Sequence, residues 1–186
     1  MAAVGGWGLT GVMTDTTLIA RGLDQLASLL DDVTPDQASL PTPCSDWTIA
    51  DLADHVVGTT TQFAVMAQGG QPDWGAPTKH EDQPAAALRR RTGELVTALE
   101  AGDGSFPVGM AAGELAVHTW DLATALGRDT ADLDPAIAEA GHAFMSESLT
   151  DQMRGDSFGP EQQAPADADA YQRAAAFAGR AVSRPN

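Results

Sequence analysis

Apolar side chains recur at steps of three and four residues in several segments of the chain, and this spacing constrains the fold more than any other feature. The first such segment contains Leu18, Ile19, Leu23, Leu26, Leu29 and Leu30. Steps of this size place side chains on one face of an α-helix. Alanine and leucine dominate the composition, whereas aromatic residues make up only 5% of it, which favours helix over sheet. The chain is therefore predicted to be all-α.

Glycines and prolines separate these apolar segments and set the predicted ends of the helices. The predicted helices cover about residues 16–30, 48–68, 84–99 and 110–127, with a fifth opening at 134–135 and a short alanine-rich one over 167–180. Thr48 and Asp51 have the spacing of a capping box at the start of the second helix. We expect an antiparallel bundle of four principal helices with short C-terminal additions.

The length of 186 residues fits one domain. Residues 1–13 are rich in glycine and lack periodicity, so we expect a flexible N-terminal extension there. Residues 14–186 would then form a single metal-binding helical-bundle domain, with the tail over 151–186 packed on it. The chain has one cysteine, Cys44, which excludes an intrachain disulfide and fits a reducing cytoplasm.

The formal charge is −16, from 26 acidic and 10 basic residues. A chain this acidic repels phosphate backbones and anionic lipid head groups, so neither nucleic acid nor a membrane is an expected partner. No apolar run is long enough to span a membrane, and the first residues do not read as a signal peptide. A cytoplasmic location is expected, and a homodimer is compatible with such a bundle.

Three ionisable residues fall on the inner stripes of two predicted helices. Glu114 and His118 are four residues apart, one helical turn, and His55 lies in an earlier helix between apolar neighbours. Two imidazoles and one carboxylate can hold a divalent ion and leave one coordination position open. Spacing alone leaves another interpretation open, in which both histidines are buried, neutral and bonded to backbone, with Glu114 at the edge.

Two segments carry a family resemblance. Residues 41–58 (PTPCSDWTIADLADHVVG) and 114–123 (ELAVHTWDLA) resemble the mycothiol-dependent maleylpyruvate isomerase N-terminal domain family, of the DinB-like four-helix-bundle superfamily. Residues 158–161 and 178–180 are similar to the C-terminus of its actinobacterial metal-binding members. The resemblance implies a DinB-like bundle in which His55, Glu114 and His118 bind a divalent ion, usually zinc. It also implies mycothiol as a cosubstrate.

The remaining polar and aromatic candidates are less specific. Asp121 matches an acidic position of the second motif and can orient His118 or a bound water, although a helix-surface carboxylate is an equal alternative. It is also the only general base that the sequence offers, and hence the one candidate catalytic residue. Cys44 is interpreted as a packing residue of the loop, with a reactive thiol as the alternative. Trp47 is expected to pack at the start of the second helix and Trp120 near the site, whereas His80 and His142 match no ligand spacing.

The function predicted from the resemblance is metal-activated transfer of a small thiol, with mycothiol, to an electrophile. Maleylpyruvate isomerisation itself is not expected, because a further C-terminal domain is lacking and no arginine clamp for a dicarboxylate is visible; residues 89–91 lie on an exposed stretch. Two alternatives stay open: a non-catalytic metal-binding or sensing module, and a metal-dependent hydrolase.

Overall fold

Every regular element of the computed structural model is helical over the residues that it describes, which are 10–44, 46–77, 79–154 and 158–182, with side chains from residue 16 on. The helices are α1 (Thr10–Asp31), α2 (Ile49–Ala67), α3 (Pro84–Ala101), α4 (Val108–Ala125), α5 (Ala136–Ser148) and α6 (Ala170–Phe177). Short 3₁₀ turns lie at Pro35–Gln37 and Asp151–Met153. The prediction of an all-α bundle is confirmed. None of the described helices is long and apolar enough to cross a membrane.

Helix α4 is the centre of the bundle. It contacts α1, α2, α5 and α6, while α3 packs against α1 and α2. Every residue from 111 to 123 is buried except Glu114, which is half-buried. The sequence predicted a single inner stripe on this helix, but α4 is covered around its whole circumference. A helix enclosed in this way must be apolar or small on all sides, and its alanines meet that need.

The backbones of α4 and α5 approach each other closely where Gly141 faces Gly113. A Cβ atom added at Gly141 would lie 2.5 Å from the carbonyl oxygen of Ala112 and 2.9 Å from the Cα of Gly113. No larger side chain fits between the two backbones unless one of them shifts. This contact fixes the position of α5 relative to the part of α4 that carries Glu114.

The capping box predicted for α2 is present. The Thr48 hydroxyl accepts a hydrogen bond from the backbone N–H of Asp51 at 3.2 Å, and the Asp51 carboxylate accepts one from the N–H of Thr48 at 2.9 Å. Hydrogen bonds from the Thr48 side chain and backbone hold the pKa of Asp51 below its usual value. The cap defines where α2 begins, and therefore the direction in which His55 points two turns later.

Some predicted boundaries differ from the structure. Helix α1 begins at Thr10 rather than at residue 16. A flexible extension was predicted over residues 1–13, of which residues 1–9 lie outside the described part of the chain. Helix α6 is shorter than predicted because Asp169 caps it in a box with Gln172, and Gly179, with φ of 92°, follows its end. The predicted C-terminal glycine of α4, Gly127, has φ of 66°.

The tail after α5 is held on the bundle by buried polar contacts. The Arg154 guanidinium donates to the backbone carbonyls of Gly159 and Phe177 at 3.0 and 2.7 Å and stacks on the Phe177 ring. The buried Tyr171 hydroxyl donates to the carbonyl of Asp134 at 2.9 Å. These contacts anchor α6 and the residues that follow it beside α4.

The close α4–α5 contact predicts that Gly141→Ala lowers the free energy of unfolding by about 1–3 kcal/mol, because the added methyl overpacks the interface. Urea unfolding followed by circular dichroism measures this change. Gly93→Ala is the matched control, since Gly93 is an exposed helical glycine with no atom near its added Cβ. That substitution should be neutral or stabilise by about 0.5–1 kcal/mol. Equal effects of both substitutions would contradict the packing account.

Candidate metal centre

The three predicted ligands lie together where α2 meets α4. The Nε2 atom of His55 is 2.6 Å from Oε1 of Glu114, and the Nε2 atom of His118 is 3.3 Å from the same oxygen. One ligand atom from each residue lies within 4.8 Å of those of the other two. Residues 59 positions apart are thus brought into one cluster by the packing of two helices.

The imidazoles bond to side chains rather than to backbone. His55 contacts Glu114 and the Thr59 hydroxyl, and His118 contacts Glu114 and Asp121. The alternative in which both rings are neutral core histidines bonded to backbone carbonyls therefore does not describe this arrangement. Both rings instead point a nitrogen at one carboxylate.

Charge interactions and hydrogen bonds within the cluster shift the pKa values of His118 and Glu114 in opposite directions. Burial by itself would lower the pKa of His118, but the charge of Glu114 and hydrogen bonds to Asp121 and Glu114 raise it to about 9. Burial would raise the pKa of Glu114, but the charge and hydrogen bonds of His118 and His55 hold it well below its usual value. Without a metal, a shared proton therefore compensates the half-buried carboxylate; a divalent cation can do the same.

The donor types suit a tetrahedral zinc ion, and one of their separations already has the required spacing. Zinc binds imidazole nitrogen and carboxylate oxygen at about 2.0–2.2 Å, so neighbouring ligand atoms lie roughly 3.3–3.5 Å apart. The separation of 3.3 Å between His118 and Glu114 already matches this spacing. The separation of 2.6 Å between His55 and Glu114 is that of a hydrogen bond and would need to lengthen to roughly 3.3–3.5 Å around an ion.

Asp121 lies behind His118, with no exposed surface. One of its oxygens is 3.1 Å from Nδ1 of His118, and the Arg180 guanidinium donates to both oxygens at 3.1 Å. An ionised carboxylate only accepts hydrogen bonds, so Nδ1 of His118 is the donor and Nε2 points to Glu114. The helix-surface interpretation of Asp121 is wrong. Because both oxygens are engaged, the geometry favours orientation of His118 over the general-base role predicted for Asp121.

Two residues at the site were not assigned to it from the sequence. The Trp47 ring lies 4.5 Å from the His55 ring and stacks on the His118 ring at 5.9 Å, between centroids, although it was expected only to pack at the start of α2. Arg180 follows α6 and lies beside Asp121 only because the tail folds back onto α4. The family motifs include Trp47 and Arg180, but no local spacing pairs either one with the ligands.

Cys44 lies half-buried beside the cluster. Burial raises the pKa of its thiol, and the nearby Arg180 opposes that effect only in part. Its sulfur belongs to a second set of atoms within 4.8 Å, with His118 and Asp121. Asp121 is committed to Arg180, so the set with Glu114 is the better arranged of the two.

The other residues considered lie elsewhere. His80 pairs with Asp54 at 3.0 Å, and hydrogen bonding to Asp54 raises its pKa. His142 packs edge-on against the ring of Phe177, with ring centroids 5.3 Å apart. Trp120, expected near the site, is buried and lines a neighbouring cavity with Arg128.

A cavity of about 650 Å³ opens in front of the ligands, here called the polar cavity. Its lining includes all three candidate ligands together with Cys44, Trp47 and Arg180. An open coordination position facing this space can receive a small molecule, and the volume is within the range of small-molecule sites.

Comparison with known proteins places the chain in a family. Residues 19–107 match the mycothiol maleylpyruvate isomerase N-terminal domain. Two uncharacterized proteins of Mycobacterium tuberculosis, from strains CDC 1551 / Oshkosh and ATCC 25618 / H37Rv, are each 34% identical over 175 residues, covering 87% of this chain and 95% of the relative. The chain belongs to this isomerase N-terminal domain family. The family match includes His55 but ends before Glu114 and His118. No solved structure matches significantly.

The orienting role of Asp121 predicts that Asp121→Asn weakens zinc binding by about 10–100-fold, because the amide no longer fixes His118 as a strong ligand. Competition against a chromophoric chelator measures the dissociation constant. Asp54→Asn is the control, since Asp54 pairs with His80 outside the cluster. Unchanged affinity in folded Asp121→Asn protein would show that this carboxylate does not orient the ligand.

Proposed function

We propose that the protein binds one divalent metal ion, zinc, through His55, Glu114 and His118, and that it is a thiol transferase using mycothiol. The convergence of the three ligand atoms at the junction of α2 and α4 is the observation that supports this proposal most strongly. The family to which the chain belongs carries mycothiol in its description, which supports the choice of thiol.

The charge of the ligand set suits a thiolate. One carboxylate and two neutral imidazoles leave a divalent ion with a net positive charge, which favours an anionic fourth ligand. When bound, zinc would supply a Lewis acid that lowers the pKa of a coordinated thiol towards neutrality. Glu114 and the two imidazoles would hold that centre, and Asp121 with Arg180 would keep His118 in the required tautomer.

The polar cavity supports the same reaction. The Trp47 ring stacks on the His118 ring and contacts the tilted His55 ring, so it forms an aromatic wall of the cavity beside both imidazoles. Arg180 is part of the cavity lining, so a polar cosubstrate would meet a cationic side chain there. The thiol would lose its proton to solvent, and its sulfur would form a bond to an electrophilic carbon while the leaving group departs with the electrons of the broken bond.

Neither alternative function is favoured by a particular observation. A hydrolase needs a general base at the reacting water, and Asp121 is buried and engaged by Arg180 and His118. A non-catalytic metal-binding module would use the same three ligands without turnover, so activity measurements separate it from the transferase.

Elemental analysis of purified protein tests the ligands. We expect about one zinc per chain in the wild type and a loss of most of it in His55→Ala, Glu114→Gln and His118→Ala. His142→Ala is the control, because His142 packs against Phe177 away from the cluster. Full occupancy in all three ligand variants, each folded by circular dichroism, would exclude the site.

The same proteins test the reaction. Consumption of an electrophile such as iodoacetamide with mycothiol should require zinc, stop after chelation and return when zinc is restored. His118→Ala should lower the rate to the uncatalysed level. Stoichiometric zinc without thiol-dependent turnover would assign the chain to the non-catalytic class instead.

A further inference from the structure

A second cavity, of about 430 Å³, also includes the candidate ligands His55 and Glu114 in its lining. We call it the apolar cavity. Its walls are formed largely by apolar side chains, which include Phe63, Trp74, Phe144, Met153 and Phe158. Its polar side chains are those of Thr59, Ser148 and the two ligands His55 and Glu114. No lysine or arginine is among the described residues that line it.

The two cavities meet at the ligands but differ in chemistry. Both include His55, Gly113, Glu114 and Phe158 in their linings. The polar cavity adds Cys44 and Arg180, whereas the apolar cavity adds aromatic rings and methionines. Two reactants of different polarity can therefore reach one centre from two directions.

The apolar cavity includes two of the three large apolar side chains that are exposed among the described residues. These two are Trp74, 56% exposed, and Met153, 64% exposed. Trp74 packs edge-on against Phe63, with ring centroids 5.9 Å apart. The loop that carries Trp74 is held to α2 by a hydrogen bond from the Asp73 N–H to the Gln62 side chain at 2.8 Å. Surface of this kind beside a reactive centre is typical of a ligand site.

We propose that the apolar cavity binds the electrophile, and that this substrate is a small neutral molecule bearing an aromatic or bulky aliphatic group. The proposal rests on the thiol-transfer function given above. Apolar walls reward burial of an apolar group, and no lysine or arginine among the described lining residues compensates an anion there. A dicarboxylate such as maleylpyruvate would find no cation in this cavity.

Three electrophiles with the same reactive carbon–iodine bond test this selectivity: 2-iodo-N-(1-naphthyl)acetamide, iodoacetamide and iodoacetate. With each, the mycothiol sulfur forms a bond to the carbon, iodide leaves with the electrons of the broken bond, and the thiol proton passes to solvent. For zinc-loaded protein, kcat/KM divided by the uncatalysed rate constant should be at least tenfold higher for the naphthyl amide than for iodoacetamide. It should be lowest for iodoacetate.

Met153→Glu should reduce the preference for the naphthyl amide at least fivefold, because it adds a carboxylate to the cavity wall at an exposed position that folding does not require. Leu40→Glu is the matched control, since Leu40 is also an exposed apolar residue and lines neither cavity. It should leave the preference unchanged. Turnover of iodoacetamide without any preference for the naphthyl amide would overturn this inference while the thiol-transfer function stands.

Direct binding keeps the test independent of turnover. If no electrophile is consumed, the thiol-transfer function fails, and the cavity is tested with the unreactive N-(1-naphthyl)acetamide by fluorescence titration. Binding that Met153→Glu weakens and Leu40→Glu does not would support an apolar ligand site; absence of binding would overturn it. The protein could also self-associate in a concentration-dependent way that Met153→Glu abolishes. If that substitution left the preference for the naphthyl amide unaffected, the surface would belong to a contact with a second copy of the chain, and the proposal would be overturned.

Discussion

The half-buried carboxylate of Glu114 is the constraint on which the site depends. It is the one residue between 111 and 123 of the central helix that is not buried, and the imidazoles of two helices converge on one of its oxygens. A carboxylate in such a place requires compensating positive charge. Protonated His118 provides that charge in the metal-free protein, and a divalent ion would provide it more completely. Compensation of the Glu114 charge thus both joins α2 to α4 and brings the candidate ligand atoms together.

A second carboxylate extends this arrangement to the C-terminal tail. Asp121 is fully buried and is compensated by Arg180, which reaches it because Arg154 and Tyr171 hold the tail against the bundle. Removing one partner of such a buried pair leaves an uncompensated charge, which costs about 3–5 kcal/mol. The tail is therefore part of the site, although it is distant from the ligands in sequence.

Features that depend on local spacing could be predicted from the sequence. The capping box of Thr48 and Asp51, the turn between Glu114 and His118, and the glycine after α4 each involve residues a few positions apart. Features set by tertiary packing could not. Arg180 pairs with Asp121 across 59 positions, Trp47 turns its ring onto two imidazoles, and α4 is enclosed on all sides by its neighbours. The grouping of His55 with Glu114 and His118 was predicted from their places on inner helix faces together with the family resemblance, because spacing alone left a second interpretation open.

The identity of the metal-bound atoms decides between two possible sites, because a second set of donors that includes Cys44 lies beside the first. X-ray absorption spectroscopy of the zinc-loaded protein without added thiol distinguishes the two sets. We expect two imidazole nitrogens and a carboxylate oxygen at about 2.0–2.2 Å and no sulfur. A zinc–sulfur distance of about 2.3 Å, lost in Cys44→Ser, would contradict this ligand assignment and place the ion on Cys44 instead.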